Sequence, residues 1–197
     1  MSELKGWIFT KENCLRPGRI VFGGEWIQEI RLCTASELTE AEREQLLLPG
    51  LVDVHFHGAA GYDFCDGTKE AHLAIEAYEN QNGITSICPA TMTLPIGELE
   101  RILIQASSEK PDSLIGIHLE GPFISKEKKG AQKEDYIIPP KAETLRRLQE
   151  SAGGLVKLVS IAPEVTGALS CIEKLRNEFC FSIAHTTADY KTAAAAI

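Results

Sequence analysis

The 197-residue sequence has no long hydrophobic run. Its apolar stretches fall well short of the roughly 20 residues that a membrane-spanning helix needs, and residues 1–6 lack the apolar centre of a secretory signal. We therefore expect a cytoplasmic protein that does not enter a membrane.

Basic residues are in deficit. The sequence has 20 Lys and Arg against 28 Asp and Glu, which gives a formal net charge of −8 at pH 7. Because nucleic acids are bound by broad basic surfaces, this charge argues against a nucleic-acid partner. An anionic substrate would need a local cluster of positive side chains.

Cys-x-x-Cys pairs are also absent. The six cysteines mostly lie in apolar segments, which favours reduced thiols over disulfides. They are Cys14, Cys33, Cys65, Cys88, Cys171 and Cys180.

The composition is that of an ordinary globular chain, with 44% hydrophobic and 24% charged residues. Residues 1–48 predict three short β-strands, at 6–10, 18–22 and 26–31, with a tight turn at Gly23-Gly24. Three strands form only a thin core, so we expect further strands from elsewhere to complete this unit.

From residue 49 onward, predicted strands alternate with predicted helices. Strands are expected at 48–58, 84–88, 114–122 with its loop, 155–161 and 179–185, and helices at 68–78, 96–107, 141–150 and 166–178, with another starting at 188. This alternation indicates an α/β fold with a parallel sheet. The absence of a Gly-x-Gly-x-x-Gly turn favours a (β/α)8 barrel over a Rossmann sheet.

A complete (β/α)8 barrel needs roughly 200–250 residues, which is more than residues 49–197 supply. The sequence also stops at Ile197 within a predicted helix. We therefore expect residues 49–197 to be the first five βα units of a barrel in a longer protein, of which this chain is the first half.

A His-x-His pair ends the first strand of this region. His55 and His57 are two residues apart, so a strand directs both imidazoles to one face. Two such imidazoles can bind a divalent metal, but the spacing alone is equally compatible with two unrelated histidines. Gly58 is expected to end the strand and to let the backbone turn away.

Two further candidate ligands follow later strands. Glu120 precedes a Gly-Pro turn, which would leave its carboxylate at the same end of the barrel as the histidine pair. Buried carboxylates are rare unless they are paired with a cation or a metal. His185 ends the fifth strand, whereas His118 is expected deeper in the barrel and His72 on the surface of a helix.

Five motifs follow one another along the chain. They are Pro-Gly-Leu-Val-Asp-Val-His-Phe-His-Gly, His-Leu-Glu-Gly-Pro-Phe-Ile, Lys-Lys-Gly-Ala-Gln, Ile-Ala-Pro-Glu and Ala-His-Thr-Thr-Ala. In order and spacing they resemble the amidohydrolase superfamily and, within it, the N-acetylglucosamine-6-phosphate deacetylase family. His-x-His after Pro-Gly is shared by many amidohydrolases, whereas Leu-Glu-Gly-Pro followed by Lys-Lys-Gly-Ala-Gln is more specific to these deacetylases.

The resemblance implies a metal-dependent hydrolase barrel of the TIM type over residues 49–197 and a small β-sandwich domain that includes residues 1–48. It implies that Glu120 and His185 bind the main metal ion. His55 and His57, with Glu120, would bind a second ion, and the number of ions stays open. The implied metal is Zn²⁺, with Fe, Mn or Co as alternatives.

For the substrate, an amino-sugar phosphate, the resemblance implies contacts from Ala131 and Gln132. Three nearby lysines are expected to form a solvated loop rather than to contact the phosphate; they are Lys126, Lys128 and Lys129. The acid/base Asp, another metal-binding His and the phosphate-binding residues are expected after Ile197, so no catalytic residue is assigned within this sequence.

The implied activity is hydrolysis of the acetamide of N-acetyl-D-glucosamine 6-phosphate to glucosamine 6-phosphate and acetate, in amino-sugar catabolism. The full-length protein would be a homodimer, and this sequence by itself would be incomplete for catalysis. Two alternatives stay open. One is another amidohydrolase, such as a dihydroorotase or an N-acyl-amino-acid deacylase, and the other is a non-catalytic metal-binding half-barrel.

Overall fold

The N-terminal unit contains one four-stranded β-sheet. A computed structural model describes residues 2–197 and separates two compact units, of which the first ends at Gly50 and the second is Leu51–Ile197. The elements of the first unit are β1 Ser2–Phe9, β2 Leu15–Gly23, β3 Trp26–Leu32, α1 Glu40–Arg43 and β4 Leu46–Leu47.

The sheet of this unit has the strand order β3-β2-β1-β4. β1, β2 and β3 are antiparallel neighbours, and β4 is parallel to β1. The three predicted strands are confirmed. The predicted turn lies one residue later, because Gly23 still belongs to β2 and Gly24 takes the positive φ of +64°.

The second unit alternates strands with helices, as predicted. Its elements are β5 Leu51–Asp53, β6 Gly58–Ala59, β7 Tyr62–Asp63, α2 Lys69–Gln81, β8 Ile84–Ile87, α3 Ile96–Ser108, β9 Ile117–Glu120, α4 Ala142–Ser151, β10 Val156–Ile161, α5 Ala168–Leu175, β11 Cys180–Ile183 and α6 Tyr190–Ala195.

Five parallel strands are neighbours in the order of the sequence. β5 pairs with β8, and β9, β10 and β11 pair in turn. Two parallel bridges, Ile87 to Leu114 and Ala90 to His118, connect these two groups of strands. The prediction of an α/β fold with a parallel sheet is therefore confirmed, and the C-terminal ends of the strands lie on one side.

The helices begin and end where local signals place them. Thr68 Oγ1 accepts a hydrogen bond from Ala71 N at 3.2 Å and caps α2, and Gly83 follows this helix at φ +80°. α5 is shorter than predicted because Gly167, at φ +88°, leaves the helical conformation just before it. Among residues 2–197, no helix combines the length and hydrophobicity required to cross a membrane.

The core of this unit lies between the helices and the parallel strands. In α3, Leu99, Ile102 and Leu103 are fully buried, with the spacing of one helix face. They share a hydrophobic cluster with Leu119 of β9 and Val159 of β10. Each such side chain contributes about 1.5–3 kcal/mol, so the strands that carry the polar site residues have a firm apolar support.

The prediction that His72 lies on the surface is wrong. His72 is 3% exposed and stacks on Phe64, with ring centroids 4.9 Å apart. It lies on the same face of α2 as the buried Ile75, and burial lowers the pKa of its imidazole. The amphipathic pattern of this helix places a histidine within its apolar face.

Candidate metal centre

The His-x-His pair follows β5 instead of lying within it. The strand predicted to continue to residue 58 ends at Asp53. The backbone beyond it still runs beside the next segment, because Cys88 N donates to Asp53 O and Ala90 N donates to Phe56 O, both at 2.7 Å. The backbone segment that carries His55 and His57 is therefore held by hydrogen bonds to the segment after β8.

Gly58 is required for close packing. It does not adopt a positive φ; instead it begins β6 and pairs with Asp63 of β7. A Cβ atom at this position would lie 2.0 Å from Tyr62 O. The glycine thus permits a tight two-stranded hairpin directly after the histidine pair.

Glu120 is the last residue of β9, and its side chain is only 7% exposed. The next residue, Gly121, has φ +86°, and a Cβ atom there would lie 2.0 Å from Thr93 Oγ1. The glycine both permits the turn and makes room for the neighbouring loop. The carboxylate is consequently fixed at the C-terminal end of the strand.

The structure brings the three predicted histidine ligands around the carboxylate of the fourth, Glu120. His55 Nε2 lies 3.2 Å and His57 Nε2 lies 3.1 Å from Glu120 Oε2. His185 Nε2 lies 2.7 Å from the other oxygen, Oε1. Glu120 therefore occupies the position between the histidine pair and His185.

His185 reaches this position through an irregular loop. It follows β11 and has φ +49°, which is uncommon for a residue other than glycine. Its carbonyl oxygen accepts from Ser125 N at 2.9 Å, and its Nδ1 lies 2.8 Å from Lys128 O. Because a carbonyl can only accept, Nδ1 carries a hydrogen, and the ring is oriented with Nε2 towards Glu120.

The donor set fits a divalent metal ion. The ligand atoms of His55, His57 and Glu120 lie within 4.8 Å of one another. Glu120 Oε2 is buried and has no hydrogen-bond partner among the described residues. Its distances of 3.1 and 3.2 Å to the two imidazole nitrogens are close to the about 3.3 Å that separates tetrahedral ligands bound at about 2 Å.

Electrostatics keep the carboxylate anionic. Burial acts to raise the pKa of Glu120, but its contacts with His57, His185 and Gln132 outweigh this effect and lower the pKa to about 2. In return, the contact with Glu120 raises the pKa of His57 against the opposing effect of burial. The site therefore offers a permanent negative charge beside imidazole nitrogens, which suits a cation.

The comparisons with known proteins agree on one enzyme. The chain is 35% identical to the N-acetylglucosamine-6-phosphate deacetylase of Bacillus subtilis over 163 residues, which is 78% of this chain and 41% of the relative. It is 30% identical to the same enzyme of Bos taurus, over 96% of this chain and 51% of the relative. No family model matches the sequence.

Solved structures agree with these relatives. The crystal structure of N-acetyl-D-glucosamine-6-phosphate deacetylase from Mycobacterium smegmatis matches with a TM-score of 0.86 and 26% identity, over 100% of this chain and 53% of that one. A mutant of that enzyme in complex with N-acetyl-D-glucosamine-6-phosphate matches with a TM-score of 0.85 and 26% identity, over the same shares of both chains.

The chain is similar to N-acetylglucosamine-6-phosphate deacetylases. The similarity covers nearly its whole length, and the chain spans about half the length of the relatives and solved structures that it matches. The resemblance read from the sequence motifs is therefore confirmed.

The deacetylase resemblance predicts that Ala131 and Gln132 contact the substrate, and the two residues differ in exposure. Ala131 is exposed, whereas Gln132 is 3% exposed. Gln132 Nε2 donates to Glu120 Oε1 at 3.0 Å, and its Oε1 accepts from Thr93 N at 2.6 Å. In this structure, the Gln132 side chain supports the carboxylate.

The three lysines before Gly130 have exposed or partly exposed side chains, and one of them contacts the site through its backbone carbonyl. Lys126 and Lys128 are exposed, and Lys129 is partly exposed. Lys126 lies 3.8 Å from Glu134, and the carbonyl of Lys128 accepts from His185. The solvated loop expected for these deacetylase positions agrees with their exposure.

Ser160 is a hydrogen-bond partner of His118 that the sequence did not predict. His118 is buried at 4% exposure, with Nδ1 3.1 Å from His55 Nδ1 and Nε2 2.8 Å from Ser160 Oγ. The available signal was a polar residue between two apolar ones, Val159 and Ile161, in β10. His118 is buried next to His55, which agrees with the prediction that it lies deeper than the histidine pair.

Proposed function

We propose that this chain forms the metal-binding half of an N-acetylglucosamine-6-phosphate deacetylase, which hydrolyses the acetamide of N-acetyl-D-glucosamine 6-phosphate to glucosamine 6-phosphate and acetate. The observation that carries the proposal is the buried Glu120 carboxylate between His55, His57 and His185, in a chain that matches these enzymes. Because the chain spans about half of its relatives, the activity is proposed for the whole protein.

The proposal extends to the architecture. Residues 49–197 would be the first five βα units of a (β/α)8 barrel, and residues 1–48 would be part of a small β-sandwich domain. Support for the barrel comes from the five parallel strands, which are neighbours in sequence order. A Rossmann sheet instead reverses its strand order at a switch point.

A divalent metal ion held by Glu120 and the surrounding imidazoles supplies Lewis acidity, which activates water and polarises an amide carbonyl. Glu120 contributes the anionic oxygen ligands, and its low pKa keeps it charged across the neutral range. His185 is oriented by Lys128 O so that its Nε2 is available as a ligand. Imidazole and carboxylate donors accommodate Zn²⁺ as well as Fe, Mn or Co, and one or two ions are compatible with the four side chains.

The substrate side of the proposal rests on position. Ala131 is exposed and adjoins Gln132, which contacts Glu120, and this neighbourhood supports a contact of Ala131 with a bound amino-sugar phosphate. The proton shuttle and the phosphate-binding groups belong to the part of the enzyme outside this chain, and we propose a cytoplasmic homodimer for the whole protein.

Metal binding by this chain tests the proposal directly. After dialysis against Zn²⁺, the unmutated chain is expected to retain one or two equivalents by elemental mass spectrometry. Glu120→Gln removes the charge without changing the shape and should lose the metal. Glu127→Gln is the matched control, because Glu127 is exposed in the adjacent loop and the same charge is removed. Full metal retention by Glu120→Gln would contradict the ligand assignment.

Acetate release from N-acetyl-D-glucosamine 6-phosphate tests the activity. The full-length protein with Zn²⁺ should release acetate, and Glu120→Gln should abolish the release. The 197-residue chain alone should bind the metal and release none. Acetate release by this chain alone would show that it already holds every essential group, and metal binding without turnover by the full-length protein would favour the non-catalytic alternative.

A further inference from the structure

A second carboxylate, that of Glu164, binds the loop that carries His185. Its Oε1 accepts hydrogen bonds from Thr187 N at 2.7 Å and from Thr187 Oγ1 at 3.0 Å, and its Oε2 accepts from Thr186 Oγ1. The two threonines directly follow His185 in the sequence. One side chain therefore makes three hydrogen bonds to the two residues after the candidate ligand.

Glu164 lies next to a segment that is fixed by the core. Ile161, the last residue of β10, and the following Ala162 are both fully buried. Ala162 N donates to the carbonyl oxygen of Phe123, itself fully buried, at 3.0 Å. Only Pro163 separates this packed segment from Glu164. Because packed strands hold their neighbours more closely than free loops do, the Glu164 side chain is a suitable anchor.

The anchor is located where the two strands stop pairing. Ile161 of β10 is the partner of Ile183 of β11, and Ala184 N still donates to Ile161 O at 3.3 Å. Glu164 and Thr186 each lie three residues beyond the pair formed by Ile161 and Ile183. The hydrogen bonds of the Glu164 side chain thus continue the connection between the two segments beyond the backbone ladder.

His185 has a backbone conformation that requires outside support. Its φ of +49° lies in the left-handed region, which residues other than glycine rarely occupy unless surrounding contacts enforce it. Ser125 N and Lys128 O contact this residue directly, whereas Glu164 fixes the two residues after it. In the resulting conformation, His185 Nε2 lies 2.7 Å from Glu120 Oε1.

We propose that Glu164 is a positioning residue for His185. By binding Thr186 and Thr187, its carboxylate holds the backbone of His185 in the left-handed conformation that directs Nε2 to the candidate metal centre. Glu164 acts through the loop and needs no contact with the metal ion or the substrate. The inference rests on the metal centre of the proposed function.

The backbone conformation of His185 tests the proposal without a metal ion. NMR scalar couplings and chemical shifts distinguish positive from negative φ, and the unmutated chain should show a positive value. Glu164→Ala removes the acceptor of all three hydrogen bonds and should shift His185 to negative φ. Glu173→Ala, which removes an exposed carboxylate of α5, should leave φ positive. A positive φ retained in Glu164→Ala would overturn the proposal.

Zn²⁺ affinity tests the consequence for the metal centre. Glu164→Ala should weaken Zn²⁺ binding by about 10- to 100-fold, the usual effect of losing a residue that orients a ligand. Glu164→Gln keeps a side-chain oxygen that can accept from Thr187, so it should retain most of the affinity. Glu173→Ala should change nothing. Equal losses in Glu164→Ala and Glu164→Gln would mean that the charge of Glu164, and not its positioning of the loop, affects the metal.

A double-mutant cycle shows whether Glu164 acts through His185. In a chain that carries His185→Ala, Zn²⁺ binding is weakened, and adding Glu164→Ala should weaken it no further. A purely structural role would give the same loss with and without His185. That result would contradict the positioning role.

A milder variant covers the case in which Glu164→Ala does not fold. Thr187→Val removes one of the three hydrogen bonds and should weaken Zn²⁺ binding by about 3- to 10-fold, the range expected for a single hydrogen bond. Thr187→Ser keeps the hydroxyl group and should restore the affinity. Unchanged affinity in Thr187→Val would count against the proposal.

These outcomes separate the positioning role from the proposed function. If Glu120→Gln loses Zn²⁺ while Glu164→Ala keeps full affinity, the metal centre stands and the positioning role is wrong. If the unmutated chain binds no Zn²⁺, the metal centre is wrong, and the φ of His185 in Glu164→Ala still decides whether Glu164 positions the loop.

Discussion

Gln132 and Glu120 are joined by a buried hydrogen bond, from Gln132 Nε2 to Glu120 Oε1 at 3.0 Å. The same amide accepts from Thr93 N at 2.6 Å, so both of its polar ends are engaged. The resemblance had assigned this side chain to the sugar. Its position also couples the candidate metal ligand to the loop that follows β8.

Replacing Gln132 by Ala should therefore reduce both stability and Zn²⁺ affinity. The substitution leaves the buried Thr93 N without its acceptor, and a buried unsatisfied group costs about 1–3 kcal/mol. It also removes one of the two contacts of Glu120 Oε1, which keeps only His185. Urea unfolding and Zn²⁺ titration measure the two effects. Gln81→Ala, at an exposed position in α2, should change neither. If Gln132→Ala kept stability and affinity unchanged, its side chain would have no supporting role.

Metal removal should lower the melting temperature. A ligand that binds only the folded state stabilises it by about 2.7 kcal/mol when its free concentration is 100 times its Kd. Zn²⁺ should therefore raise the melting temperature of the unmutated chain, and a chelator should reverse the increase. Glu120→Gln should show no response to either addition, as followed by circular dichroism. A Zn²⁺ response retained by this variant would place the ion elsewhere.

Gly121→Ala should destabilise the chain more than Gly154→Ala. Both glycines have a φ near +85°, which costs other residues roughly 1–2 kcal/mol. A Cβ at Gly121 additionally meets Thr93 Oγ1 at 2.0 Å, whereas one at Gly154 meets nothing within 4 Å. Urea midpoints give the difference between the two variants. Adding Thr93→Ala should recover part of the loss in Gly121→Ala, and equal losses in the two single variants would refute the steric argument.

Glu164 should make stability depend on pH. Burial acts to raise the pKa of Glu164, but hydrogen bonds from Thr186 and Thr187 outweigh it and lower the pKa. A carboxyl with a lowered pKa in the folded state adds stability above its unfolded pKa of about 4.3, and this stability is lost as the pH falls through the folded value.

Glu164→Gln tests this dependence. Urea unfolding should show a loss of stability at pH 7 that diminishes as the pH is lowered below 4. Glu173→Gln, at an exposed position of α5, should show no such trend. A loss of the same size at every pH would mean that the charge of Glu164 does not contribute.

Thiol alkylation should distinguish the cysteines. All six are free, and burial raises the pKa of Cys65 to about 12 and that of Cys88 to about 11. Since the thiolate is the reactive form, iodoacetamide at pH 8 should label the exposed Cys180 well before these two. Peptide mass spectrometry measures the order of labelling. In urea the difference should disappear, and rapid labelling of Cys88 in the folded chain would contradict its burial.

Local features of the fold were predictable because they depend on neighbouring residues. The cap at Thr68, the glycine after α2 and the alternation of strands with helices all follow from short-range conformational preferences. The exposure of His72 was not predictable in this way. Its burial depends on which face of α2 packs against Phe64, a contact with a segment outside the helix.

The candidate site also has features that depend on neighbouring residues and features that depend on distant contacts. By itself, the sequence determined the types of the candidate ligands, their positions at the ends of predicted strands and the resemblance to deacetylases. These features depend only on the chemistry and spacing of residues that are close together in the sequence. Only the tertiary structure decided that Glu120 lies between His55 and His185, that Gln132 supports the carboxylate, and that Ser160 stands behind His118. Those relations join residues distant along the chain, so they exist only once strand pairing and core packing have fixed the backbone.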